Sequence, residues 1–342
     1  SAFAKVTNQL LLAAELASIG DEEYKTLFSK IANRHRDAVD ILITDEKLKQ
    51  ETTAQVEIVL SELESALKGV YLLKEVSTKI LDLIVSYGER LSAYIITQSF
   101  KNRGIKAEFV DTRLLIKTDN HFGFAHVDFE QTDKNIADYF HKSKKSLKII
   151  TGFIGSTENN ETTTLGRGGS DYTASLFGAA IKASKIEIWT DVDGVLTADP
   201  RKVKSAFNIS RMTYQEAMEM SHFGAKVIYP PTMRPLLSSK IPLVIRNTFN
   251  PKFRGTVVST GTSNKFLIKG ISSVEDIAVL LLQGSGMLGT PGIVARLFST
   301  LAKSAINIIL ITQASSEHTI CFAIAPKQTK KAKVTIEEEF KD

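Results

Sequence analysis

Apolar positions in the first hundred residues recur with helical spacing. Ile80, Leu81, Ile84, Leu91 and Ile95 fall close to one face, and Gly88 interrupts them without a proline. The pattern predicts a mostly helical region over 7–100, with charged runs such as 45–51 as solvated connections between helices. Between 106 and 129 the period shortens, and three apolar runs (AEFVD, RLLIKT and FAHVDF) separated by Asp, Asn and Gly predict strands. A buried strand running into a glycine loop follows at 148–155 (KIITGFIG). Then come a helix at 174–183, a strand at 186–190, a helix at 214–223 and a strand at 242–247. Strands alternating with helices predict a mostly parallel sheet covered on both faces.

A loop rich in Pro, Gly, Thr and Ser at 250–264 changes the pattern. Beyond it the order is strand 277–282, loop 283–292, helix 293–304, strand 306–312, strand 318–325 and a further segment from 330, a ferredoxin-like β–α–β–β–α succession. Two domains are expected, 1–260 and 261–342. The opening SAFAKVT reads as the end of a strand and a loop, with no initiator Met and no leader pattern. The closing VTIEEEFKD reads as a helix turn cut short. The expectation is an interior piece of a longer protein.

Composition narrows the class. With 342 residues, 43 % of them hydrophobic and 24 % charged, the chain can bury a substantial core and reads as an ordinary soluble globular protein. No apolar stretch approaches the ~20 residues that span a bilayer. The single cysteine, Cys321, lies in the apolar run TICFAIA; it excludes an internal disulfide framework and fits a reducing, cytoplasmic setting as a small strand residue. The net charge of +5 comes from scattered lysines without aromatic–basic interleaving, which favours acidic small molecules over nucleic acid. The histidines show no HExxH spacing, no CxxC accompanies them, and neither GxSxG nor a P-loop occurs, so no resident metal site is expected.

Two glycine-rich stretches carry the chemistry. In TLGRGGSDYTA, Gly166, Gly168 and Gly169 allow close backbone approach, Arg167 is a bidentate donor for a carboxylate, and Ser170 and Asp171 stand where a helix begins. A helix cap in a tight turn explains Asp171 equally well, but not an arginine between glycines. In WTDVDGVLTADPR, an apolar strand ends in Thr190 and Asp191, passes Gly194 and closes with Asp199, Pro200 and Arg201. Such an edge is where α/β folds hold ligands: Thr190 and Asp191 suit adenine or ribose, Arg201 a phosphate. A surface turn with Asx-type bonds is the plainer alternative, and the one that fits Asp193. Lys226 in FGAKVIYPPT is a phosphate contact beside these motifs and a solvated lysine by itself. Glu89 (IVSYGERLSA) reads alone as a solvent-facing partner of Arg90. Phosphoryl transfer follows if the turn at Arg167 and the strand exit at Asp191 face one cleft.

SAFAKVTNQLL, SYGERLSA, TLGRGGSDYTA, WTDVDGVLTADPR and FGAKVIYPPT occur in the order and spacing of aspartate kinases, and the resemblance covers essentially the whole chain. It implies an α/β fold of the amino-acid-kinase (carbamate-kinase-like) type, a three-layer αβα sandwich, followed by a ferredoxin-like ACT regulatory domain. GSGMLGTPGIVARLF and LITQASSEHTICFAI are most similar to the threonine-sensitive enzymes, particularly the kinase half of bifunctional aspartokinase–homoserine dehydrogenases. The resemblance implies that Thr7, Glu89, Arg167, Gly169 and Ser170 hold L-aspartate, with Arg167 on a carboxylate and Glu89 on the ammonium. It makes Asp171 and Arg167 catalytic. Thr190, Asp191, Leu196, Asp199, Arg201, Lys226 and Val227 would surround ATP with its Mg2+, Leu196 departing from the aromatic of some relatives. The family's KFGGTS lysine is not in this chain, and the expectation is that these residues alone transfer phosphate poorly.

For the effector, lysine-sensitive relatives place an Asp where this chain has Ile309 in INIILIT, and Gln313 is polar but uncharged. Threonine is expected, with Met287, Asn307, Ile308 and Gln313 as contacts. ACT halves commonly pair edge to edge, so a homodimer or higher oligomer is expected. Acetylglutamate, glutamate 5- and carbamate kinases share the fold but lack the RGGSDYTA and FGAKV motifs; a non-catalytic threonine sensor is the alternative of another class.

Overall fold

A computed structural model describes every residue except 144–146, 223–227, 262–267, 285–286, 288–289, 314–318 and 342. The chain divides into two compact units, Ser1–Ile271 and Ser272–Asp342. No helix among the described residues is long and apolar enough to cross a membrane.

The first unit begins with four helices: α1 (Val6–Ser18), α2 (Glu23–Leu42), α3 (Glu46–Leu73) and α4 (Thr78–Asn102). Their apolar faces close one core in which Leu10, Ile31, Leu63, Leu67, Ile84 and Ile95 are fully buried. The helical region predicted over 7–100 is there, but the charged run 45–51 is no connection. Asp45 caps α3 by accepting the Leu48 N–H at 2.8 Å, and the charges after it form the solvated face of that helix's first turns. Nor does the chain open on the end of a strand: residues 1–5 form a turn ahead of α1.

Gly88 lies inside α4 because α1 crosses there. A Cβ at that position would stand 3.1 Å from Ala2 Cβ and Val6 Cγ1 and 3.2 Å from Leu10 Cδ1. The missing side chain brings the start of α1 against the middle of α4, one residue before Glu89.

β1 (Ala107–Val110) pairs in parallel with β2 (Leu147–Ile150). On one side Phe109 meets Tyr94 of α4 edge-on at 5.8 Å. On the other, Val110 packs with Ile136 of α5 (Phe129–Lys142) and with Leu176 and Phe177 of α6 (Gly169–Ala180). Helices thus cover both faces of this sheet. RLLIKT and FAHVDF are not strands, however. Arg113 and Leu114 of the first belong to a 3-10 turn (Thr112–Leu114), Lys117 makes an isolated bridge to Ser156, and the two segments share the isolated bridge Thr118↔Val127. The stretch 148–155 is split between β2 and β3 (Ile154–Ser156), which forms an antiparallel hairpin with β4 (Thr162–Thr164).

A second, mixed sheet follows: β5 (Ile186–Thr190), β6 (Arg211–Thr213), β7 (Leu243–Asn247) and β8 (Thr256–Ser259), in the order β5-β7-β8-β6, with β7 and β8 antiparallel. The single, mostly parallel sheet expected from the alternation is therefore divided into hydrogen-bonded pieces of mixed direction. α7 (Tyr214–His222) and α8 (Pro230–Ser239) follow β6; Met233 and Leu236 of α8 pack on Ile188 and Ile245. α6 starts at Gly169, five residues ahead of the predicted helix, because the glycine turn itself supplies its cap.

The second unit runs β9 (Ala278–Gln283), α9 (Ile293–Lys303), β10 (Ile308–Gln313), β11 (Thr319–Ile324) and α10 (Thr329–Glu339), in the predicted β–α–β–β–α order. Among the described residues its sheet has three antiparallel strands, in the order β10-β11-β9. Leu297, Leu301, Phe322 and Ile336 close a core on one face of that sheet. Cys321 is half-buried on β11 and unpaired.

Candidate functional site

A cavity of about 470 Å³ opens where the starts of α1 and α6 meet the middle of α4. Thr7, Glu89, Arg167, Gly169, Ser170 and Asp171, drawn from three regions of sequence, all line it. Sequence reasoning did not single out Lys5, Asn8 and Phe153, which line it as well. Phe153 holds a left-handed backbone (φ 70°), its N–H bonded to Thr173 Oγ1 at 3.0 Å, and nothing in KIITGFIG signals that conformation.

The Arg167 turn has a local cause. Gly168 adopts φ 69° as the cap of α6, and a Cβ there would meet Tyr229 Cβ at 2.5 Å. No side chain caps α6; its Gly169 N–H donates to the Gly166 carbonyl at 3.0 Å, and the next two residues, Ser170 and Asp171, line the cavity at the positive end of the helix dipole. α1 also starts at this cavity uncapped by any side chain, behind Lys5 at φ 70°. Two helix N-termini and the exposed Arg167 side chain therefore converge, and among the described residues no carboxylate or carbonyl pairs with that guanidinium.

Glu89 is the opposite case. Its side chain is 5 % exposed, and Oε2 has no hydrogen-bond partner among the described residues. Burial pushes its carboxyl above the usual range, opposed by the N–H groups of Ala2 and Gly152. The solvent-facing pairing with Arg90 does not occur; Arg90 reaches Glu62 instead, at 3.3 Å. Burial likewise raises Asp171, in the first turn of α6.

The expected nucleotide residues form a separate loop and do not line this cavity. Thr190 ends β5 and donates its hydroxyl to Asp191 Oδ1 at 3.1 Å. Asp193 is a clamp: its Oδ1 accepts from Asn247 Nδ2 at 2.9 Å and Asn250 Nδ2 at 3.2 Å, and its carbonyl from Asn208 Nδ2 at 2.7 Å. Leu196 pairs with Asn208 in an isolated bridge. The Arg201 guanidinium forks onto Asp199, holding that carboxyl at about 2. Lys226 and Val227 lie outside the described residues.

β5 begins beside the end of α6, where a Cβ on Gly178 would meet Ile186 Cδ1 at 2.4 Å.

In the second unit, Met287 and Gln313 line a cavity of about 270 Å³ with Thr290, Gly292, Ile293 and Ile320. Asn307 and Ile308 stand at the other end of β10, Asn307 exposed and Ile308 against the core. Among the described residues, no charged side chain lines the cavity.

Residues 5–247 match the family model described as the amino acid kinase family, and residues 280–340 match one for an ACT domain. The chain is 34 % identical over its whole length to a chloroplastic bifunctional aspartokinase/homoserine dehydrogenase 2 of Zea mays, of which it spans 38 %. E. coli aspartokinase III in complex with lysine and aspartate superposes with a TM-score of 0.77 at 32 % identity, covering 95 % of this chain and 71 % of that one. The same enzyme with aspartate and ADP gives 0.73 at 25 % identity, covering 100 % and 92 %.

Proposed function

The chain belongs to the amino acid kinase family, and from that premise we propose that it is the kinase and regulatory portion of an aspartate kinase, transferring the γ-phosphoryl of MgATP to the β-carboxylate of L-aspartate. One observation carries the reading: an arginine and a buried glutamate oxygen, both without a partner among the described residues, and two helix N-termini converge on one cavity. A dicarboxylate with an ammonium group is the complement of that set, and E. coli aspartokinase III, its similar structure, was solved with aspartate.

A carboxylate oxygen of aspartate attacks the γ-phosphorus in line. The bond from that phosphorus to the β–γ bridging oxygen breaks, and the electron pair leaves with ADP. The attacking group is already an anion and needs no general base, so the protein's work is to hold two anions together and offset their repulsion. Arg167 and the N–H groups of α6 do this for aspartate, while Glu89 sets its direction through the ammonium. Thr190, Asp191 and Arg201 hold the nucleotide, with Lys226 as the phosphate contact and Asp171 orienting a cation at the phosphoryl centre. In the full-length enzyme, Arg167→Ala is expected to raise the KM for aspartate far more than that for ATP; an equal rise in both removes Arg167 from the aspartate site.

Regulation belongs to the second unit. Its cavity, lined among the described residues by no charged side chain, presents the Gln313 amide, which suits a hydroxyl and supports threonine as effector. Two copies pair through this unit, whose sheet leaves Val279 66 % and Leu281 56 % exposed. Sedimentation showing only monomers removes the pairing.

A further inference from the structure

The hairpin 119–126 carries a cluster that aspartate phosphorylation does not use. The Asp119 N–H donates to the His126 carbonyl at 3.0 Å, and Thr118↔Val127 closes the hairpin behind them. Asp119 Oδ1 accepts the N–H groups of His121 at 3.1 Å and His126 at 2.9 Å. This fixes the carboxylate with Oδ2 turned to His126 Nδ1, 2.7 Å away. The His121 ring stands beside that of His126, centroids 5.4 Å apart. One donor atom from each of the three residues lies within 4.8 Å of the other two, and all three residues are exposed.

A hydrogen-bonded Asp–His pair on a surface turn accounts for Asp119 and His126 but leaves His121 without a part. The backbone around the cluster is also pinned at both ends of its tip. The Gly123 N–H is held by buried Asp82 Oδ2 at 2.9 Å and the Ala125 N–H by the Thr164 carbonyl at 2.9 Å. Ligand atoms around a tetrahedral ion at ~2.0–2.1 Å lie roughly 3.4 Å apart. Rotation of exposed side chains on this fixed frame closes the difference. Two imidazoles and one carboxylate suit zinc-class ions and leave a position for water, whereas magnesium and calcium prefer all-oxygen sets.

We propose that Asp119, His121 and His126 bind one divalent transition-metal ion of the zinc class, outside the cavity lined by Arg167. The hairpin tip touches the aspartate turn, since a Cβ on Gly166 would meet Phe124 Cδ2 at 2.3 Å. An ion on the hairpin therefore stiffens a segment that packs against that turn.

The test uses the full chain without a histidine tag. Zn2+ affinity is read by competition with a chromophoric chelator, and Co2+ serves as a spectroscopic probe through its visible absorption. One ion per chain is expected, unaffected by excess Mg2+. His121→Ala and His126→Ala should each weaken Zn2+ binding about tenfold or more and reduce the Co2+ bands. His141→Ala, at an exposed histidine outside the cluster, should leave both unchanged. Circular dichroism confirms that each variant is folded. The absence of Zn2+ binding by the parent chain, or equal binding by the folded His121→Ala/His126→Ala double variant, overturns the assignment.

Discussion

Replacing Glu89 by Gln keeps the shape of a buried side chain and removes its charge. If Glu89 recognises the substrate ammonium, the loss must fall on ligands that have one. At a contact distance of roughly 3–3.5 Å, a substrate ammonium and a carboxylate attract by about 5 kcal/mol with an effective dielectric of ~20. Desolvation of the ammonium offsets part of this, leaving about 2–3 kcal/mol, or roughly 30- to 150-fold in affinity. Calorimetry with L-aspartate and with succinate, which has both carboxylates but no amine, isolates the interaction. Glu89→Gln should weaken aspartate by that factor and leave succinate unchanged or slightly tighter. The pH profile gives a second reading. Burial raises the Glu89 carboxyl, so aspartate affinity in the parent should fall with decreasing pH while ordinary carboxylates are still ionised, and Glu89→Gln should flatten that fall. Equal losses for both ligands would refute the ammonium assignment.

Gly88→Val places methyl groups where a Cβ alone already meets three side chains at 3.1–3.2 Å; chemical denaturation should show a loss of about 1–3 kcal/mol. Asp82→Ala strips the acceptor from the Gly123 N–H, the Thr164 N–H and the Thr164 hydroxyl; a loss of about 2–4 kcal/mol is expected, read as a lower melting temperature. Buried His35, stacked on Phe3 at 5.2 Å, has its imidazole pKa lowered by burial. Its folded value lies below the unfolded one, so its contribution is full above the ordinary histidine range and is lost as pH falls through it. Melting temperature should therefore drop more between pH 7 and pH 5 in the parent than in His35→Asn. Threonine should bind the second unit's cavity and Gln313→Ala should weaken it, measured by calorimetry; lysine binding without threonine binding reverses the effector assignment.

What sequence could show here depended on whether the cause was local. The helices α1 to α4 follow from periodicity, and the TLGRGG turn declares itself because an arginine between glycines has no structural excuse. The charged run 45–51 misled for the same reason that helices are amphipathic: a capped first turn with a solvated face has the composition of a loop. FAHVDF failed as a strand because its N–H groups find scattered partners: Ala125 the Thr164 carbonyl, His126 the Asp119 carboxylate and Asp128 the Lys117 carbonyl. Glu89 is the sharper case. A glutamate beside Arg90 reads as a surface pair, and its burial depends on α1 crossing at Gly88, a fact of packing between segments eighty residues apart.

That crossing explains why the site is built from helix starts rather than from a cluster of basic side chains. Aspartate and ATP are both anions, and a cavity lined by several lysines would bind either one in either place. Backbone N–H groups at the starts of α1 and α6 attract negative charge only along their axes and within about one turn. On the proposed reading Arg167 grips one carboxylate, with Lys5 the other cation lining the cavity among the described residues, while buried Glu89 repels any anion lacking an ammonium group. Discrimination follows from that opposition: phosphate satisfies the helix starts and the arginine but meets an uncompensated negative charge at Glu89. On this argument Glu89→Gln should not only weaken aspartate but also make inorganic phosphate a better competitor for the cavity, a change of sign that simple loss of packing would not produce.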